Sequence, residues 1–275
     1  MKTFTSEKQV KLNKFLLDKY AGELSYSTLR KLLRNKDIKV NGKRVQEDIT
    51  LNAGDRVDVY YDGVKKQLNL NLLFNEKGVL AFDKPCGITS VDFEKQVKTI
   101  YPTAVLVHRL DRNTSGILLF ATDSVAETEL LKAFKNRTIS KFYMAEVYGK
   151  PKENSKVLTA YLKKDSDNSL VKIYDTKVDG SDKIITGYEV LESYEKSTLL
   201  KVELFTGKTH QIRAHLAHIG HFVIGDGKYG KNAINEEFKC KTQRLTAYET
   251  RLCFDKTSPL SSLNGKVIKL DRKPF

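Results

Sequence analysis

Residues 108–121 read HRLDRNTSGILLFA. The apolar run ILLFA follows a glycine and reads as a strand. Just ahead of it, the carboxylate of Asp111 lies between Arg109 and Arg112. Asp111 followed by Asn113, Thr114, Ser115 and Gly116 suits an Asx-type turn, in which a side-chain oxygen satisfies nearby backbone amides. Asp111 then either caps a turn and pairs with an arginine, or is a carboxylate held ready for chemistry at the mouth of a strand. The neighbouring segments decide between these.

Upstream, GVLAFDKPCGITS (78–90) is a strand followed by a rigid turn at Pro85 and Gly87. Taken alone, Lys84 in that turn points to solvent. Downstream, SVAETELLKAFKN (124–136) has helical spacing, and KFYMAEVYG (141–149) alternates as a strand does. The alternation puts Lys141, Tyr143, Ala145 and Val147 on one face. A tyrosine there could stack on a flat base and still offer its hydroxyl, or simply belong to the core. In FTGKTHQIRAHLAHIG (205–220), Gly207 makes a turn and a helix runs until Gly220 ends it. Ile212, Leu216 and Ile219 form its apolar stripe. Arg213 lies roughly 100° from Ile212 on the helical wheel, at the stripe's margin. That position suits a fixed ion pair with a carboxylate. FVIGDGKYG (222–230) adds another glycine-rich turn. Strands alternating with helices over 76–275 predict one mixed α/β domain.

Residues 1–62 read as a smaller unit, joined through a linker and a first strand at 63–75. KLNKFLLDKY (11–20) places Leu12, Phe15 and Leu16 on one helical face, and STLRKLLRN (27–35) does the same for Leu29, Leu32 and Leu33. Asn41-Gly42 between two short β-prone runs predicts a type I′ hairpin, since both residues tolerate positive φ. AGDRVDVYY (53–61) reads as a closing strand. Arg30, Lys31, Arg34, Lys36, Lys39, Lys43 and Arg44 crowd the second helix and the hairpin, with Asp37 the one acid among them. A helix and a hairpin sharing a basic surface can follow a phosphate backbone.

The composition agrees. A formal net charge of +14 over 275 residues predicts a polyanionic partner, and 40 % hydrophobic with 30 % charged residues fits a folded domain. Cys86, Cys240 and Cys253 form no CxxC pair, so neither a disulfide framework nor a zinc site is indicated. His210, His215, His218 and His221 cluster in sequence without cysteine or carboxylate partners at ligand spacing, and no metal is expected. The polar start MKTFTSEKQVKLNKF lacks the apolar core of a signal peptide, and no run approaches the ~20 apolar residues of a membrane span. A cytoplasmic location is expected.

Two resemblances sharpen this picture. LRKLLRNKDIKVNGKRVQEDITLNAGDRVDVY (29–60) resembles the small RNA-binding domain of ribosomal protein S-four, two helices on a short sheet. H-R-L-D-x-x-T-S-G, K-x-Y-x-A-x-V-x-G and T-G-K-T-H-Q-I-R-x-H-L-A, in that order, resemble the RluA-type pseudouridine synthases across most of residues 75–250. The second resemblance implies a mixed, largely antiparallel sheet with flanking helices and a central cleft. It also implies an isomerase acting on uridine in structured RNA without a cofactor or metal, and a monomer. By motif position, Asp111 corresponds to the essential aspartate and Arg109 to the arginine that enters the helix stack when the uridine flips out. Tyr143 corresponds to the tyrosine stacked on the uracil, and Arg213 to the arginine paired with the aspartate. The Lys-Pro-x-Gly turn at 84–87 corresponds to a structural motif. Three segments depart from the commoner family pattern: Ile88-Thr89-Ser90-Val91, Lys208 and Leu245-Thr246-Ala247-Tyr248. The appended RNA-binding domain favours ribosomal RNA as substrate. Transfer RNA is the second choice, and a non-catalytic RNA-binding assembly protein is the alternative of another class.

Overall fold

The computed structural model describes residues 1–20, 24, 26–61, 70–165 and 170–275. The chain divides into two compact units, Met1–Leu68 and Asn69–Phe275. The linker expected at 63–75 falls largely on residues 62–69, which lie outside the described residues.

The first unit comprises β1 (Lys2–Thr5), β2 (Val10–Lys11), α1 (Leu12–Lys19), α2 (Tyr26–Arg34), β3 (Ile38–Val40), β4 (Lys43–Arg44), β5 (Thr50–Leu51) and β6 (Arg56–Val59). The helices bury the residues their spacing selects: Leu12, Phe15 and Leu16 from α1, and Leu29, Leu32 and Leu33 from α2. These pack with Ile38, Val40, Val57 and Val59 of the sheet β1-β6-β3-β4. Asn41 at φ 50° and Gly42 at φ 79° turn the β3–β4 hairpin, the two positive values that a type I′ turn requires. The Asn41 side chain adds a clamp: its Nδ2 donates to Asp55 and its Oδ1 accepts from the Arg56 amide.

The second unit holds β7 (Asn71–Glu76), β8 (Val79–Lys84), α3 (Ser90–Val97), β9 (Val105–Leu106), β10 (Ser115–Ala121), α4 (Ser124–Asn136), β11 (Ser140–Tyr148), β12 (Ser155–Asp165), β13 (Leu170–Tyr174), β14 (Asp182–Ser193), β15 (Ser197–Leu204), α5 (Gln211–His218), α6 (Asn232–Glu237), β16 (Leu245–Arg251) and β17 (Val267–Lys269). The main path of its sheet runs β13-β12-β14-β15-β11-β16-β10-β8-β7, with β17 on β16 and β9 on β10. Pairing is antiparallel except between β10 and β16.

β8 and β10 read as continuous apolar runs because both of their faces are covered. Val79, Ala81, Ile117 and Leu119 pack with Ala126, Leu130 and Ala133 of α4. On the other face Phe82, Phe93 and Phe120 meet, with ring centroids 5.8–6.3 Å apart. Both helices have side-chain N-caps: Thr89 Oγ1 accepts from the Asp92 amide at α3, and Asp123 Oδ1 from the Ala126 amide at α4. The chain end is clasped to the same strands, where Arg272 makes a two-bond pair with Asp83, at 2.6 and 2.9 Å.

The parallel contact brings β10 and β16 very close at Gly116. This glycine has φ +110°, and a Cβ on it would overlap the backbone of Ala247. Gly265, at φ +80°, has open space around it. Gly265→Ala is therefore expected to cost about the 1–3 kcal/mol of backbone strain alone. Gly116→Ala should cost more, because β16 must also move. Urea unfolding of the two variants checks this; equal losses would contradict it.

Candidate active site

The loop carrying Asp111 is fixed from below before any charge is considered. Lys84 is fully buried rather than at the surface. Its ammonium donates to the carbonyls of Pro85, Ile88 and Arg112 at 2.9, 3.0 and 3.3 Å. An ammonium has three protons, and each finds an acceptor. Sequence alone could not show this, because the two turns that Lys84 ties together are distant along the chain. The Gly87 amide also donates to the Arg112 carbonyl, at 2.9 Å. Buried Ser90 clasps Leu110 from the other side: its Oγ accepts from the Leu110 amide and donates to the Leu110 carbonyl, each at 2.9 Å. The departure at Ile88–Val91 thus includes a residue that positions the loop. His108 is held against β10, its Nε2 accepting from the Leu119 amide at 3.0 Å. Burial and then Lys141 push its imidazole down to about 3, so it is neutral, with its proton on Nδ1.

Asp111 is left facing Arg213. Arg213 Nη1 donates to Asp111 Oδ2 at 2.7 Å. The same guanidinium makes a bidentate pair with Asp226, Nε to Oδ2 at 2.7 Å and Nη2 to Oδ1 at 2.8 Å. Asp226 is completely buried, and its Oδ1 also accepts from the amides of Lys228 and Tyr229. Burial pushes the Asp226 carboxyl up, but the Arg213 bonds, its charge and the two amides together hold it below the ordinary range. Burial likewise pulls Arg213 down, and the two carboxylates more than reverse that. The guanidinium lies 5.3 Å from the Tyr229 ring centroid, and Tyr229 Oη meets His210 Nδ1 at 2.9 Å. His210 Nε2 stands 3.9 Å from Asp111 Oδ2. Burial keeps this histidine below its ordinary value although Asp111 pulls the other way.

Helix α5, which carries Arg213, is anchored by Gln211. Its Oε1 accepts from Thr206 Oγ1 and the Lys208 amide, and its Nε2 donates to Ile185 O and Thr186 Oγ1. Gln211 to Leu216 are all buried, so Arg213 is enclosed rather than marginal to a stripe. Tyr143, on β11, is 6 % exposed. Burial and the nearby Asp111 raise its phenol above its ordinary value, so the hydroxyl is protonated at neutral pH. A cleft of about 580 Å³ opens over these groups, lined by Arg109, Asp111, Tyr143, Lys141, His210 and Arg213 among others. Arg109 is exposed at its edge and pairs with no carboxylate among the described residues.

A cleft with one carboxylate gripped by a buried arginine, beside a protonated tyrosine, is a setting for acid–base or nucleophilic work on a bound ring. A model of the family described as RNA pseudouridylate synthase matches residues 78–218. The chain belongs to that family. The ribosomal large subunit pseudouridine synthase C of Pasteurella multocida (strain Pm70) is 32 % identical over 251 residues, covering 82 % of this chain and 76 % of the relative. The protein of the same name from Vibrio parahaemolyticus serotype O3:K6 (strain RIMD 2210633) is 31 % identical over 233 residues, covering 76 % and 73 %. Among solved structures, human RNA Pseudouridylate Synthase Domain Containing 1 superposes with a TM-score of 0.64 at 24 % identity, covering 76 % of this chain and 85 % of that one. The fold is that of the pseudouridine synthases, and the chain is an RNA pseudouridine synthase, an isomerase.

The synthase unit brings Arg109, Asp111, Tyr143 and Arg213 into one cleft. Arg30, Lys31, Arg34, Lys36, Lys39, Lys43 and Arg44 belong to the other unit. There Lys39 and Arg44 pair across the hairpin, and the Arg30 guanidinium covers the Tyr26 ring. None of the seven forms an ion pair with a carboxylate among the described residues. Asp226 is the residue holding Arg213 that the sequence did not reveal. Its segment was legible as a turn, and its side chain does seat turn amides, but nothing local reveals the arginine from α5.

Lys84 gives a testable pH effect. Burial pushes its ammonium from an ordinary 10.5 down to about 8. Between those values the unfolded chain binds more protons than the folded one, so this group makes stability rise with pH. The wild type is expected to gain on Lys84→Met by up to about 1.4 kcal/mol per pH unit across that window. Urea unfolding at several pH values from 7.5 to 10 measures the difference, and parallel curves would refute it.

Proposed function

We propose that this synthase isomerises specific uridines of ribosomal RNA to pseudouridine, with Asp111 as the catalytic carboxylate. The observation that carries the assignment is the Arg213 bond to Asp111 at the floor of the cleft. In the reaction the bond from ribose to the ring nitrogen breaks, the base turns, and the ribose bonds to a ring carbon. That carbon's proton then leaves. Atoms and electrons balance within the nucleotide, and no cofactor is called for.

Asp111 can serve this sequence by attacking the ribose carbon or by removing a ribose proton. Either role needs the carboxylate held in one position facing the bound nucleotide. Arg213 supplies that hold, and Asp226 keeps Arg213 from turning away. Tyr143, which lines the same cleft, is the residue we assign to stack on the uracil. Being protonated, its hydroxyl can take the departing ring proton only by passing its own on, which makes it a relay rather than a resting base. The target base must leave its stack, at a cost of a few kcal/mol. Arg109, exposed at the rim and without a carboxylate partner among the described residues, is the side chain available to fill the gap.

The ribosomal target is supported by the relatives named for the large ribosomal subunit. It is supported also by the first unit, which we read as an RNA-binding domain like that of ribosomal protein S-four at 1–62. The synthase domain follows at 76–275. Seven basic residues with no carboxylate partner among the described residues offer that unit a surface for phosphates. The enzyme acts as a monomer in the cytoplasm on this reading.

Wild type and Asp111→Ala are to be incubated with unmodified ribosomal and transfer RNA, and new pseudouridines mapped by chemical labelling and primer extension. New sites in ribosomal RNA with wild type alone are expected, with RNA affinity nearly equal for the two proteins. Sites formed by Asp111→Ala, or sites only in transfer RNA, would contradict the proposal.

A further inference from the structure

A second cavity, of about 490 Å³, lies against the wall of the Asp111 cleft. Val107, His108, Lys141, Leu204 and Gly207 line both. Each is within the size range of sites for small molecules, roughly 300–1,000 Å³. The second cavity has no part in the chemistry derived above, yet its groups are unusual in three ways.

Phe205 lines it and is 38 % exposed. The ring is not loose. Its Cε2 lies 3.1 Å from where a Cβ on Gly187 would stand, so the missing side chain of that strand residue gives the ring a seat on the sheet. The rest of its surface is open. Lys141, in the shared wall, is half-buried, and burial lowers its pKa. Its ammonium pairs with no carboxylate among the described residues and lies 5.4 Å from the Phe134 ring centroid. Glu203 is half-buried in the same cavity and likewise joins no ion pair among the described residues. Lys141 and Glu203 thus share one cavity, which the exposed Arg137 also lines, with no ion pair to either among the described residues, beside a seated aromatic ring. A nucleotide supplies what each lacks: a phosphate for the cation, an exocyclic amino group for the acid and a flat π-face for the ring.

We propose that this cavity takes the nucleotide next to the target uridine in the same strand, with its base on Phe205, an exocyclic amino group donated to Glu203, and the phosphate joining the two nucleotides beside Lys141. The occupant follows from continuity. Consecutive nucleotides are linked by one phosphate, and these cavities are joined through one wall that carries a cation. Phe205 and Glu203 become specificity residues, selecting adenine, cytosine or guanine over uracil at that neighbour. The inference rests on the reading of the Asp111 cleft as the uridine pocket.

The test uses the full chain and a synthetic RNA stem-loop carrying the mapped uridine, intact or with an abasic site at either adjacent position. Wild type and Phe205→Ala are compared by kcat/KM. For wild type, one of the two abasic sites is expected to lower kcat/KM by roughly 5- to 150-fold, the equivalent of the 1–3 kcal/mol that one base stack is worth. Phe205→Ala should lose a similar factor on intact RNA and little more at that abasic site. If both proteins lose the same factor at each abasic site, or wild type ignores both, the subsite is overturned while the uridine reading stands. A failure of the uridine reading is distinct: wild type then forms no pseudouridine on intact RNA, and the subsite falls with it.

Discussion

One guanidinium holds this site together. Arg213 spends two nitrogens on Asp226, which is sealed from water, and offers the third to Asp111, which is partly open to the cleft. Each charge needs the others. Without Arg213, Asp226 would be a lone buried carboxylate, and removing one partner of such a pair costs about 3–5 kcal/mol. Without Asp226, Arg213 would be free to follow Asp111 or to leave it. The planar fork of arginine makes the three-way arrangement possible, and a lysine could not reproduce it.

The sheet exists in this form to bring those three residues together from distant parts of the chain. Asp111 comes from the loop before β10, Arg213 from α5, and Asp226 from a turn beyond it. The loop is pinned by Lys84 below and Ser90 behind, while Gln211 ties α5 to β14. Gly116 lets β16 lie tightly beside β10. The site is therefore built on strands and a short helix with satisfied polar groups, which is what precise positioning of a reactive group requires.

Much of this was legible in the sequence wherever the signal is local. Asn41-Gly42 specified its hairpin, the leucine spacings of the first unit specified its two helices, and GVLAF and GILLF specified strands. The H-R-L-D segment marked Asp111, and the helix following Gly207 marked Arg213. What could not be read depends on contacts between distant segments. Lys84 looks like a surface lysine until its three carbonyls are seen. Asp226 looks like a turn residue because it also serves as one. Arg213 seemed marginal because a helical wheel cannot show that α5 is covered almost all round. Strand order, with β11 lying between β15 and β16, is likewise set by packing and not by pattern.

On the proposed function, Asp226, through Arg213, holds Asp111 in working position. The direct measurement is the single-turnover rate of pseudouridine formation by Asp226→Asn, alongside its RNA affinity. A side chain of nearly the same size removes the charge and sets an NH2 against a donor, so Arg213 loses its fixed two-bond partner. The expected result is a chemical step slowed by about 100-fold, the scale of a misplaced reactive group, with RNA binding nearly unchanged. A rate equal to wild type would contradict the account.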